Sequence, residues 1–205
     1  YFLYLSYNNE MHNLSLNSIH EEIWNLMKNG IDEISSAFHF PNLSTINLDG
    51  YPTSRTVVLR SVNYESKVIS FNTDIRSNKW LELKKNKNAS IHIYDFKKKT
   101  QVRLLCSAFL NYNNKNWDKA WGSTKNMSKE CYATPYKPSS IIDNPENIDI
   151  NINNLKNKEL EKYKVNFGRV DLYIKSIDWL YLLHSGHRRA QFNYKKQTEM
   201  NWLAP

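Results

Sequence analysis

Glycine is scarce in this chain, with five in 205 residues: Gly30, Gly50, Gly122, Gly168 and Gly186. None is spaced as in a Walker loop or a Gly-rich dinucleotide turn, which excludes both backbone cradles for phosphate. Any phosphate bound here has to be held by side chains. Cysteine is scarcer still. Cys106 and Cys131 are too few for a disulfide framework or a four-sulfur zinc site, and a reducing, cytoplasmic setting is expected. Long apolar runs are also missing, and none approaches the ~20 residues of a membrane-spanning helix. Residues 1–5 are too short for a signal-peptide core and lack a basic segment before them. Because the sequence does not open on Met, the residues ahead of Met11 read as an upstream extension or as a non-native addition. We expect residues 1–17 to extend one domain over 18–205, a length that suits a single core.

What is abundant is aromatic and basic. Hydrophobic residues make up 40% of the chain and aromatic ones 13%, enough to build a core and to exclude global disorder. The formal net charge is +8, which raises the question of nucleic acid. The chain is generally rich in Lys and Asn, however, and runs such as Lys84-Lys85-Asn86-Lys87 and Lys97-Lys98-Lys99 read as loop and helix-end decoration. With no recognition module present, nucleic acid is not expected as the main partner.

Along the chain, Ser18 and Glu21 have capping-box spacing, and Ile19, Ile23, Leu26 and Met27 recur at helical intervals up to Gly30. Beyond Pro41 the pattern becomes extended. Residues 43–48 lead into Asp49-Gly50, the strongest hairpin signal present, and 53–62 form the β-branched return strand. Further strands are expected at 67–73, 89–95 and 100–110, with a short helix from Ser77 to Leu83 capped by Asp74 or Ser77. Residues 115–130 suggest a helical insertion, and 135–164 a surface excursion. Closing strands are expected at 165–174, 176–183, 190–194 and 201–203. The sum is an antiparallel, α+β chain: a β-barrel with helical additions.

Three separated segments carry cationic or hydroxyl groups at strand ends and turns. Arg55 and Arg60 differ by five positions, so an ideal strand points them to opposite faces. They serve one ligand only if a bulge or strand end re-aims one of them. In residues 71–79 a strand runs into a helix start, where free amides, Thr73, Ser77 and Lys79 can meet an anion. Gln101-Val102-Arg103 opens a later strand. Each segment has a plain structural alternative: exposed strand arginines, a capped helix, an ordinary strand edge.

Taken together, Arg55-Thr56-Val57-Val58-Leu59-Arg60, Phe71-Asn72-Thr73-Asp74, Arg76-Ser77-Asn78-Lys79 and Gln101-Val102-Arg103 resemble the pyridoxamine 5′-phosphate oxidase-related FMN-binding family. His187-Arg188-Arg189 and the closing Trp202-Leu203-Ala204-Pro205 agree, so the likeness spans about residues 20–205. It is nearer the broader oxidase-related branch than the housekeeping oxidase. The resemblance implies a split β-barrel and a homodimer with FMN at the subunit interface. It also implies two-electron oxidoreduction of a small-molecule substrate through flavin N5. Carried over by position, Arg55 and Lys79 pair with the FMN phosphate and Ser77 donates to it. Two cations suit a phosphate carrying roughly −1.5 to −2 charge. Thr56, Val57, Val58, Leu59 and Asn78 belong to the same cofactor-binding stretches. Asn72 and Thr73 line the flavin, and Gln101 reaches it from across the interface. Arg189 lies near the isoalloxazine, and Trp179, with Leu180 as the alternative, takes a flavin-contacting position. Arg60 reaches flavin and substrate, and with His187 is the catalytic candidate.

The departures bear on substrate rather than cofactor. Ser185 and Asn78 stand where the family oxidase has arginines, and only Trp121, Lys125 and Ser128 stand in for its substrate-phosphate contacts. A non-catalytic protein that holds FMN or another flat cofactor on the same barrel is the alternative reading. A metal at His184 and His187 is not expected, because no carboxylate or cysteine converges on them. No nucleophile-elbow pattern supports a hydrolase, and Cys106 reads as a small buried strand residue.

Overall fold

The computed structural model describes residues 15–148 and 157–205. The first helix, α1 (Leu16–Asn29), is capped by Ser15, whose hydroxyl accepts from the Ser18 amide while Ser18 Oγ accepts from the Ser15 amide. The capping box therefore sits three residues before the expected Ser18/Glu21 pair. It works because a serine at the third helical position can reach back as a Glu would. The apolar stripe is as expected: Ile19, Ile23 and Met27 are buried.

Among the described residues nine strands form one antiparallel sheet. They are β1 (Asn42–Ile46), β2 (Pro52–Thr56), β3 (Leu59–Asn63), β4 (Val68–Asp74), β5 (Asn88–Asp95), β6 (Thr100–Asn111), β7 (Phe167–Tyr181), β8 (Arg188–Tyr194) and β9 (Thr198–Leu203). The order is β2-β1-β5-β6-β7-β4-β3, with β8 and β9 branching from β7. The branch is where the barrel splits. One edge of β7 runs its length against β6, while the other pairs with β4 up to Tyr173 and with β8 from Ser176. Among the described residues no ladder closes the sheet. Instead α1 lies against β3 and β9, and its His20 and Trp24 bond the Tyr194 hydroxyl on β8 at 2.7 and 2.9 Å.

Two expected strand boundaries are corrected. The single return strand at 53–62 is two strands, β2 and β3, broken at Val57 and Val58. β-Branched propensity favours continuation there, but the Val57 and Leu59 amides bond Pro41 and His39 carbonyls instead, so a neighbouring loop overrides it. Conversely, the strands expected at 165–174 and 176–183 are one continuous β7. It absorbs an extra residue, Lys175, in a bulge opposite Leu105 and Cys106.

The helix α2 (Asn78–Lys85) packs on the start of β7. A Cβ on Gly168 would lie 2.5 Å from the Trp80 ring and 2.7 Å from Ile75, so the glycine allows this close approach. The helical insertion is α3 (Lys115–Ser123) followed by α4 (Asn126–Glu130). The excursion holds short 3-10 turns at Pro145–Ile148 and Glu161–Asn166 and the helix α5 (Asn157–Leu160). Part of it, 149–156, lies outside the described residues, as does most of the expected N-terminal extension. No helix among the described residues is long and apolar enough to cross a membrane.

Candidate functional site

The β1–β2 hairpin and the β4–α2 junction bring Arg55 and Lys79 into one neighbourhood. Arg55 is fixed from behind. Its guanidinium donates to Glu82 Oε2 (2.9 Å), to Thr53 Oγ1 (2.8 Å) and to the Thr45 hydroxyl. Glu82 is 4% exposed and Thr45 2%, and Thr45 also donates to Glu82 Oε2 at 2.6 Å. A guanidinium has five N–H groups, so this clamp orients Arg55 and leaves donors free. Lys79 differs. Its Nζ donates to Thr73 Oγ1 at 3.2 Å, and among the described residues it pairs with no carboxylate. Its pKa is lowered, first by burial and then by the nearby Arg55 charge. Two cations thus share a partly desolvated space, an arrangement that favours a bound anion. Thr73 Oγ1 and Ser77 Oγ lie 3.3 Å apart beside them, with Ser77 donating to the Asp74 carbonyl at 2.6 Å. Ser77 is the N-cap of α2 but makes no side-chain cap bond, and Asp74 accepts from the Arg76 amide and guanidinium instead. Asn78 opens the helix and is exposed.

The break between β2 and β3 puts the two arginines on separate strands. Arg60 sits where the β3–β4 register shifts between Leu59 and Ser61, and it is exposed. Thr56 is exposed, Val57 and Leu59 are buried, and Val58 is half-buried. Asn72, on β4, donates to Thr124 Oγ1 at 3.4 Å. Its Oδ1 is the one buried side-chain polar atom without a hydrogen-bond partner among the described residues. A buried acceptor left unpaired is costly, so Asn72 is suited to a ligand's N–H. These observations fit a phosphorylated, N–H-bearing cofactor such as FMN.

A second group lies on the β6–β7–β8 face. Gln101, Leu180 and Arg189 pair in one row across the three strands. Gln101 Oε1 is 3.0 Å from His92 Nε2. Arg189 and Arg103 both donate to Asp178 Oδ2, at 2.8 and 2.9 Å. Burial alone would raise the Asp178 pKa, but the hydrogen bonds from Arg189 and Arg103 outweigh it and hold the carboxyl below its usual range. Trp179 is not part of this row. Strand alternation turns it into the core, 4% exposed and stacked on Tyr181 with ring centres 6.2 Å apart, whereas its neighbour Leu180 lies in the row. His187 is exposed, and its Nδ1 accepts from the Leu183 amide at 3.1 Å, closing the turn before β8. Trp121 is likewise committed: buried, it donates to Glu161 at 2.8 Å and packs on Tyr132 and Phe167. Lys125 caps α4 and Ser128 lies within it. Cys106 is buried, which pushes its thiol up to about 12, so it carries no nucleophile. No cluster able to hold a metal occurs among the described residues.

Sequence reasoning missed Glu82 and Asp178. Glu82, three residues after Lys79 on a short helix, reads as a solvated face. Asp178 acquires its role only from the β6–β7–β8 register.

Residues 21–111 match the family model of the pyridoxamine 5′-phosphate oxidase FMN-binding domain. Over that stretch, less than half of its length, the chain is similar to this family. The fold agrees. A pyridoxamine 5′-phosphate oxidase-related, FMN-binding protein from Nostoc punctiforme superposes with a TM-score of 0.73 at 18% identity, over 90% of this chain and 96% of its own. PhzG from Burkholderia lata, solved with tetrahydrophenazine-1-carboxylic acid, gives 0.64 at 17% identity, over 82% of each chain. A Clostridium acetobutylicum protein related to general stress protein 26 gives 0.52 at 13% identity, over 86% of this chain and 95% of its own. No curated protein matches the chain. The antiparallel split barrel expected from the sequence is thus the fold.

Proposed function

We propose that this protein is an FMN-dependent oxidoreductase of the pyridoxamine 5′-phosphate oxidase-like class. The observation that carries the reading is Lys79, a partly buried cation that bonds a hydroxyl and no carboxylate among the described residues, placed beside the oriented Arg55. In this reading Arg55 and Lys79 hold the FMN phosphate, with Thr73 beside them and Ser77 donating once its hydroxyl turns from the Asp74 carbonyl. Glu82 keeps the guanidinium aimed, so its role is positioning. The β2–β3 stretch from Thr56 to Arg60 and the unpaired Oδ1 of Asn72 face the ring. FMN, when bound, supplies the two-electron chemistry, and the chain orients it and selects its reactant.

The homodimer belongs to this proposal. Leu105, Phe109 and Tyr173 are 60%, 48% and 48% exposed on the outer face of β6 and β7. An apolar patch on a sheet face marks an interaction surface, and a second copy there would bring Gln101 and Arg189 to the cofactor of its partner. An exposed free thiol at Cys131 suits a reducing, cytoplasmic setting. One observation favours the non-catalytic alternative: His187 is spent on its own turn, which leaves Arg60 as the remaining catalytic candidate.

The test is to add FMN to flavin-free protein and follow quenching of flavin fluorescence. Photoreduction of the complex, with candidate acceptors compared against air alone, then separates enzyme from carrier. Protein that stays colourless and quenches no FMN contradicts the proposal.

A further inference from the structure

A polar groove of about 490 Å³ lies between α3 and the outer face of β3, β4 and β7. Its floor is a buried network around Asp171. Ser70 Oγ and Asn111 Nδ2 donate to the two carboxylate oxygens at 2.6 and 2.7 Å, and Arg169 Nε donates at 2.9 Å. Arg169 also donates to Ser61 Oγ at 2.5 Å. The one carboxylate in the groove wall is therefore saturated and its charge is matched by Arg169.

What remains uncompensated is positive. Arg60 enters from the β3 bulge and Lys119 from α3, on the opposite wall. Among the described residues neither has a carboxylate partner. Ser61 can still donate its own hydroxyl proton, since its contact with Arg169 uses only a lone pair. The volume falls in the range of small-molecule sites, far above the needs of a single inorganic ion. Hydroxyl, amide and charged side chains dominate the lining, so a flat apolar ligand finds little to stack on.

We propose that this groove binds a small hydroxylated organic acid, its carboxylate held between Lys119 and Arg60. Anion binding here stands on the groove alone. Its further meaning rests on the FMN reading: Arg60 is shared with the cofactor set, and Asn72 lies on the same face of β4 as Ser70. A ligand in the groove then sits beside the flavin as the second reactant, and the substrate class is an organic acid.

The experiment is calorimetric titration of flavin-free and FMN-loaded protein with citrate, L-malate and D-gluconate, against sodium chloride of matched ionic strength. At least one of the three should bind with a Kd below about 1 mM. Lys119→Glu, at an exposed helix position that leaves the fold intact, should weaken that binding at least about tenfold by replacing attraction with repulsion. The same variant should leave FMN affinity within about twofold, since Lys119 lies outside the phosphate cluster. Lys119→Ala should fall between. The proposal is overturned if none of the three anions binds beyond the chloride control, or if Lys119→Glu binds as well as the parent. Anion binding by a protein that takes up no FMN would support the groove and sink the flavin reading.

Discussion

Two basic clusters on this barrel look alike in sequence and differ in how their charge is settled. At the C-terminal cluster Arg103 and Arg189 both donate to Asp178, so each guanidinium has a carboxylate partner within the chain. At the N-terminal cluster Glu82 pairs with Arg55 but not with Lys79, which is left partly buried with a hydroxyl as its only hydrogen-bond partner among the described residues. The lesson is that an arginine's presence says little until its counter-charge is found. A matched pair is scaffolding, and a desolvated unmatched cation stores affinity for an anion.

The largest effect expected follows directly from this. Arg55→Ala combined with Lys79→Ala should weaken FMN binding at least ~100-fold, because two charge-assisted contacts to phosphate are lost. Fluorescence titration measures it, and unchanged affinity would erase the distinction between the clusters.

Gly168→Ala probes what places the first cluster. The added methyl meets Trp80 and Ile75 and should push α2, with Ser77 and Lys79, off β7. Overpacking of this kind costs about 1–3 kcal/mol, to be read from denaturant unfolding together with a loss of FMN affinity.

His20 lies in neither cluster and separates stability from binding. Burial, and then the Lys67 charge, lower its pKa from 6.5 to about 4. The unfolded chain then binds the extra proton between those values, so this contribution is fully present above pH 6.5 and lost as pH falls toward 4. His20→Gln should flatten that part of the stability–pH profile relative to the parent, without altering FMN affinity at pH 7.5.

The smallest effect belongs to the matched cluster. Arg189→Ala should change FMN affinity less than about tenfold, since its guanidinium is already committed to Asp178. A loss as large as that of the double variant would show that a matched arginine is not scaffolding here.

How much of this was legible in the sequence depends on which physics decides each element. Locally determined features came through: the stripe Ile19, Ile23, Met27, the Asp49-Gly50 hairpin, the β5–β6 pair and the Thr73–Lys79 strand-to-helix junction. Features set by distant partners did not. The break at Val57 needs the carbonyls of Pro41 and His39, and the continuity of β7 needs β6 alongside it to absorb Lys175 in a bulge. The site divides the same way. Arg55, Ser77 and Lys79 lie in recognisable segments, whereas the Glu82 clamp, the Asp178 bridge and the inward turn of Trp179 appear only once register is known.

The most direct test of the central claim compares FMN with riboflavin, which differ by the phosphate alone. If Arg55 and Lys79 hold that phosphate, flavin-free protein should bind FMN at least ~100-fold more tightly than riboflavin. Equal affinities for the two flavins would contradict the account.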